Sequence, residues 1–179
     1  MTEEGLQEQL EGLSPVDLTR LEFPEDSLLS VVRNSSASLK ARLFASEILL
    51  NSNREKFLSA IGAANVVELY AEALEKAKTV DLNLWGFLSM NEVGPLGERL
   101  VLFGDAAVES LKPLLEVKES AGLYSGSIES KEGNSDRPRV CDFAGFLVAR
   151  IRELPFTFHR DDDELRDAEI SRLRVELGE

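Results

Sequence analysis

Four acidic residues, Glu129, Glu132, Asp136 and Asp142, fall within one short stretch of the chain. Two carboxylates converging on one pocket are what general acid–base hydrolysis requires, at a defined spacing. A polar loop is a poor mount for them. His159, the only histidine, precedes Asp161, Asp162, Asp163 and Glu164. One imidazole beside carboxylates suits a divalent cation. Acidic residues opening a helix also suit its dipole, and helix capping is the simpler expectation. Cys141 is the single cysteine, which leaves no internal disulfide and no multi-cysteine zinc site. A helix N-terminus lowers a thiol's pKa, but a packed cysteine is expected here. Phosphate-loop, dinucleotide-glycine and paired-histidine zinc motifs are missing from the sequence. No catalytic residue, cofactor or metal ligand is therefore assigned, and an enzyme is not expected.

Binding is the stronger direction. Trp85 with Phe87 is an exposed aromatic anchor or part of the core. Tyr124, Gly126, Glu129, Gly133 and Asn134 set the geometry of a loop or contact a partner. Glycine and asparagine supply left-handed turns, and a glutamate can accept from backbone amides. Arg139 and Asp142, at the start of a helix, complete the partner-binding candidates.

The chain has 179 residues and a net charge of −13, from 33 acidic and 20 basic side chains. Such a surface repels phosphate backbones, so nucleic acid and anionic membranes are poor partners. A basic protein is a better one. The acidic start Met1-Thr2-Glu3-Glu4 lacks a signal-peptide pattern, and no apolar run approaches the ~18 residues of a membrane span. A cytoplasmic protein is expected.

Glycine and proline cut the sequence into helix-length pieces. Residues 2–11 carry Leu6 and Leu10 on one face. Ser14-Pro15-Val16-Asp17 and Pro24-Glu25-Asp26 open helices, since proline fits the first turn. Asn34-Ser35-Ser36 reads as a turn. Helices follow over about Ser38–Leu50, Arg54–Ile61 and Ala63–Lys78. In the last of these, Val66, Val67, Tyr70, Leu74 and Ala77 share one face. Residues 79–94 are irregular. Helices resume at Leu96–Phe103 and at Ala106–Val117, with Asp105 able to cap the second and Pro113 bending it. Residues 119–138 read as a polar loop of about 20 residues, a length that often marks function. Arg139–Glu153 and Asp163–Leu177 close the chain. No long stretch alternates with period two, so few or no strands are expected.

Leu43-Phe44-Ala45-Ser46-Glu47-Ile48-Leu49 echoes Asp142-Phe143-Ala144-Gly145-Phe146-Leu147-Val148. Each places an aromatic one turn before an aliphatic, with a small residue where a neighbour can approach. Trp85-Gly86-Phe87-Leu88, Gly94-Pro95-Leu96-Gly97, Leu102-Phe103-Gly104-Asp105-Ala106-Ala107-Val108, Leu111-Lys112-Pro113 and Asp142-Phe143-Ala144 resemble a bacterial family of HEAT-repeat-like proteins of unassigned function. So do Tyr124-Ser125-Gly126-Ser127, Glu129, Gly133-Asn134 and the tail from Pro155-Phe156. The likeness covers roughly residues 40–175. Before the last core helix the family carries an aromatic and then basic residues, where this chain has Ser135-Asp136-Arg137-Pro138-Arg139 and Cys141.

The resemblance implies an all-α fold of stacked antiparallel helical hairpins, a short HEAT-like α-solenoid. One domain over 1–179 is expected, with 1–35 as a cap. HEAT-like stacks present surfaces to protein partners. The expected function is a protein–protein interaction scaffold, in one version an immunity or antitoxin-like protein masking a basic partner. The alternatives are a hydrolase with carboxylates near 119–138 and a small-molecule sensor with a pocket around Trp85.

Overall fold

The computed structural model describes residues 2–13, 23–89, 92–159 and 162–179. The expected helix start at Ser14-Pro15-Val16-Asp17 lies outside these. The described residues are mostly helical, with nine α-helices and one hairpin of two-residue strands. They fall into two compact units, Met1–Ala73 and Leu74–Glu179.

In the first unit, α1 (Glu3–Glu11) is capped by the Thr2 hydroxyl, which accepts from the Gly5 amide. Leu6 and Leu10 are its buried face. The Glu3 carboxylate accepts from Asn34 and Ser30, at 2.6 and 3.0 Å, and these bonds pull its pKa down. That ties α1 to the far end of α2 (Glu25–Arg33), which buries Leu28, Leu29, Val31 and Val32. Ser36 donates its amide to Asn34 Oδ1 at 2.9 Å, closing the expected turn.

The expected helices at 38–50 and 54–61 are two helical segments that meet at a kink, at Asn53. Helix α3 (Leu39–Ile61) starts from the Ser38 cap and breaks regular geometry only at Asn53 (φ −156°, ψ 81°). Asn53 Oδ1 accepts from the Lys56 amide at 3.2 Å, capping the second half inside the first. Gly62, at φ +87°, ends it. Helix α4 (Ala63–Glu75) is shorter than expected, and turns occupy 76–81. Within this first unit, Tyr70 is buried and donates its hydroxyl to the buried carboxylate of Glu47.

The second unit has a 3-10 turn at Leu84–Gly86, where the Trp85 amide donates to the Asn83 side chain. Strands β1 (Leu88–Ser89) and β2 (Glu92–Val93) pair antiparallel, with Leu88 opposite Val93. Gly94 must be glycine, because a Cβ there would stand 2.2 Å from the Trp85 carbonyl oxygen. Helices α5 (Pro95–Phe103) and α6 (Asp105–Leu111) follow. Gly104, not Asp105, occupies the cap position of α6, and Asp105 pairs with Arg152 at 3.2 Å instead. Pro113 turns the rest of the expected helix into a 3-10 segment, Lys112–Glu116, because its ring removes an amide and crowds the preceding turn. The 119–138 loop carries a short helix of its own, α7 (Ser130–Ser135).

Helix α8 (Val140–Ile151) is the axis of this unit. It packs against α5, α6, the 3-10 segment and α9 (Asp163–Glu176). Phe143, Ala144, Leu147 and Val148 are fully buried. Gly145 lets α9 and the 154–159 segment close in, since a Cβ would meet Ile170 Cδ1 at 2.6 Å and Phe156 Cε2 at 2.8 Å.

Tyr70→Phe removes a donor from a buried carboxylate. It is expected to lower unfolding free energy by about 1–3 kcal/mol. The urea midpoint should fall with an unchanged m value, which shows that the native fold is kept.

Candidate interaction site

Two of the sequence-derived candidates meet directly. Trp85, from the 3-10 turn, stacks on Tyr124 with ring centroids 4.4 Å apart and planes tilted by 50°. The indole N–H donates to the Ser125 carbonyl at 3.1 Å. Asn83 reaches the same point, donating to the Ser125 carbonyl at 2.9 Å and to its hydroxyl at 3.0 Å. The underside of the Tyr124 ring leads to Phe143 of α8, 6.5 Å away.

Asn134 joins them as a clamp. Its side-chain oxygen accepts from the Tyr124 amide at 2.8 Å, and its side-chain nitrogen donates to the Tyr124 carbonyl at 2.9 Å. That is the pairing a neighbouring strand would offer, supplied by one amide side chain. Gly133 serves close approach rather than a left-handed turn, because a Cβ would stand 2.6 Å from the Tyr124 ring. Gly126 does take the left-handed region, at φ +90°. Burial, helped by Asp136, pushes the Tyr124 hydroxyl up to about 12, so it stays neutral at physiological pH.

Arg139 and Asp142 meet at the other end of the segment. Asp142 accepts the Arg139 amide at 3.1 Å, capping α8, and takes the Arg139 guanidinium at 2.8 Å as well. Its side chain is only 4% exposed, and that of Arg139 10%. Burial alone would lower the Arg139 guanidinium, but Asp142 and Asp167 more than offset it and keep it charged. Arg166 of α9 lies against the same group, 3.8 Å from Asp142 with a side chain 6% exposed. Arg166 also donates to the carbonyls of His159 at 2.7 Å and of Asp136. Asp167, one residue on, accepts from Lys118 at 2.6 Å and Arg139 at 2.8 Å. The Lys118 bond, against some desolvation and helped by Arg139, holds Asp167 below the usual carboxylate range.

Lys118, Arg166 and Asp167 were not candidates from sequence. They lie 21 to 28 positions from Arg139, and nothing in local spacing marks such pairs. The backbone completes the lock: Ala121 donates to Pro138 at 3.0 Å, Val140 to Glu119 at 3.0 Å and Cys141 to Val117 at 2.9 Å.

Glu129 stands apart. It is exposed, and bonds from its own amide and from Ser127 lower its pKa. Glu129 and Asp142 share no bonding partner, one lying in solvent and the other among buried guanidiniums. Cys141 is buried beside Asp142, and burial first, then that carboxylate, pushes its thiol up to about 12. A thiol in that state is a poor nucleophile. Asp162 caps α9 by accepting from Leu165 at 3.0 Å. Among the described residues, no three His, Cys, Asp or Glu side chains group as a metal site, and no single helix is long and apolar enough to cross a membrane.

Above this lock the segment carries Leu123, 66% exposed, and Ile128, 87% exposed. Exposed Glu119, Glu129 and Glu132 lie in the same stretch. The site is therefore a braced loop presenting aliphatic side chains among carboxylates. No family model, curated protein or solved structure matches the chain.

Asp142→Ala leaves buried guanidiniums without their carboxylate. The expected cost is about 3–5 kcal/mol in chemical denaturation. Glu129→Gln is expected to stay within about 0.5 kcal/mol.

A pH dependence also follows. Asp167 has a lowered pKa when folded, so the unfolded chain binds its proton first as pH falls. Its contribution is full above about pH 4 and is lost as pH drops through the folded value. The gap in urea midpoint between wild type and Asp167→Asn is expected to narrow from pH 7 to about pH 2.

Proposed function

We propose that the protein is an interaction scaffold whose 119–138 segment docks on another protein. In this reading the helices of each unit are HEAT-like hairpins, and the braced segment is the recognition element they carry. The supporting observation is the pairing of rigidity with exposure. Trp85, Tyr124, Asn134 and Gly133 fix the segment from beneath, while Ile128 and Leu123 point away from any core. A side chain as apolar as isoleucine at 87% exposure gains from being covered. A loop already ordered loses little further entropy on binding, which leaves more of the contact energy as affinity.

The partner's chemistry follows from charge. With a net charge of −13, and with Glu119, Glu129 and Glu132 around the aliphatics, a basic protein surface is complementary. Opposed fields would speed encounter and reject acidic partners. An immunity or antitoxin-like role, covering a basic toxin, is the specific version of this reading.

The test is capture from source-cell lysate on the immobilised full chain, at low and high salt. Wild type is expected to retain a basic protein at low salt and release it at high salt. Ile128→Asp should abolish capture, and Val175→Asp, at another exposed aliphatic position, on α9, should not. Equal capture by both variants, or none by wild type at either salt, would refute the reading.

A further inference from the structure

Lys118, Arg137, Arg139 and Arg166 line one open cavity of about 480 Å³ in the second unit, together with Ser120 and Ser135. Asp136 and Asp163 complete its wall. A cluster of four cations runs against the composition of a chain with 33 acidic and 20 basic side chains.

The four cations are not equivalent. Arg139 and Arg166 form the floor. They are held by Asp142, by Asp167 and by backbone carbonyls, so they are fixed in place and contribute field. Asp163 bonds Arg166 at 3.4 Å but is itself mostly exposed. Lys118 gives one bond to Asp167, and an ammonium has three donors.

Arg137 is the group without an internal role for its side chain. Among the described residues its guanidinium has no hydrogen-bond or ion-pair partner, and its backbone sits in the left-handed region at φ +45°. Glycine would occupy that conformation at lower cost. What arginine adds there is a planar fork of donors at the rim of a basic cavity, the geometry suited to phosphate or carboxylate oxygens.

The geometry points to a binding site for a small organic polyanion, bearing phosphate or carboxylate groups, in this cavity. Its size is that of a pocket for an organic ligand rather than for a lone ion. Arg137 and Lys118 grip the anionic group, Ser120 supplies a hydroxyl, and the fixed guanidiniums beneath stabilise the charge. This site does not depend on the docking of a protein at Ile128.

The test is isothermal titration of the full chain at matched ionic strength with inorganic phosphate, ribose 5-phosphate and citrate. Saturable binding of ribose 5-phosphate or citrate is expected, and the preference between them tells phosphate from carboxylate. Arg137→Gly is expected to unfold no earlier than wild type yet to weaken that binding by at least ~10-fold, the worth of one charge-assisted hydrogen bond. If the glycine variant fails to fold, Arg137→Gln gives the same comparison. No saturable binding of either organic anion, response to inorganic phosphate alone, or unchanged affinity in the folded variant would overturn the assignment.

Discussion

The second unit depends on one buried carboxylate. Asp142 caps α8, pairs with Arg139 and lies against Arg166 of α9. Two buried guanidiniums share this group, and removing a charge from water is tolerated only where its partners are fixed and its hydrogen bonds made. That condition links three elements: the end of the 119–138 segment, the start of α8 and the first turn of α9. Asp167 and Lys118 extend the link to the segment's beginning. Both ends of the loop are thereby held at one place.

The middle of the loop is held differently. Trp85 and Tyr124 supply apolar area, Asn134 supplies directional bonds, and Gly133 supplies space. Each does what the others cannot. Stacking alone would leave the Tyr124 amide and carbonyl unpaired, and an alanine at 133 would push the ring away. The exposed aliphatics and carboxylates on which the docking proposal rests lie in the same stretch, with Leu123 and Ile128 outside the core.

Much of the helical framework was legible in the sequence, because capping and breaking are local chemistry. Ser38, Gly62, Pro95 and Gly104 mark ends that the structure keeps. Pro113 disturbed its helix as its missing amide requires. The break at Asn53 was legible as the gap between two helices, and the structure keeps it. Helix α7 was missed because six residues are too few for a 3.6-residue period to show. Buried polar pairs were less visible still. Glu47 looks like a solvent-facing residue until Tyr70 is folded over it. Arg166 sits in an acidic stretch of the sequence, yet it is among the most buried charges of the described residues. Of the site, Trp85, Tyr124 and Asn134 were recognisable by type, whereas the division between bracing and display needed the fold.

Hydrogen exchange of individual amides tests most directly whether the 119–138 segment is a locked platform. Ala121, Tyr124, Val140 and Cys141 all donate to partners that exist only if the lock is closed. The account predicts that these four amides exchange at rates set by opening of the whole unit, alongside Phe143 and Leu147 of α8. Exchange of the Ala121 and Tyr124 amides at the rate of an unfolded chain, with α8 still protected, would contradict it.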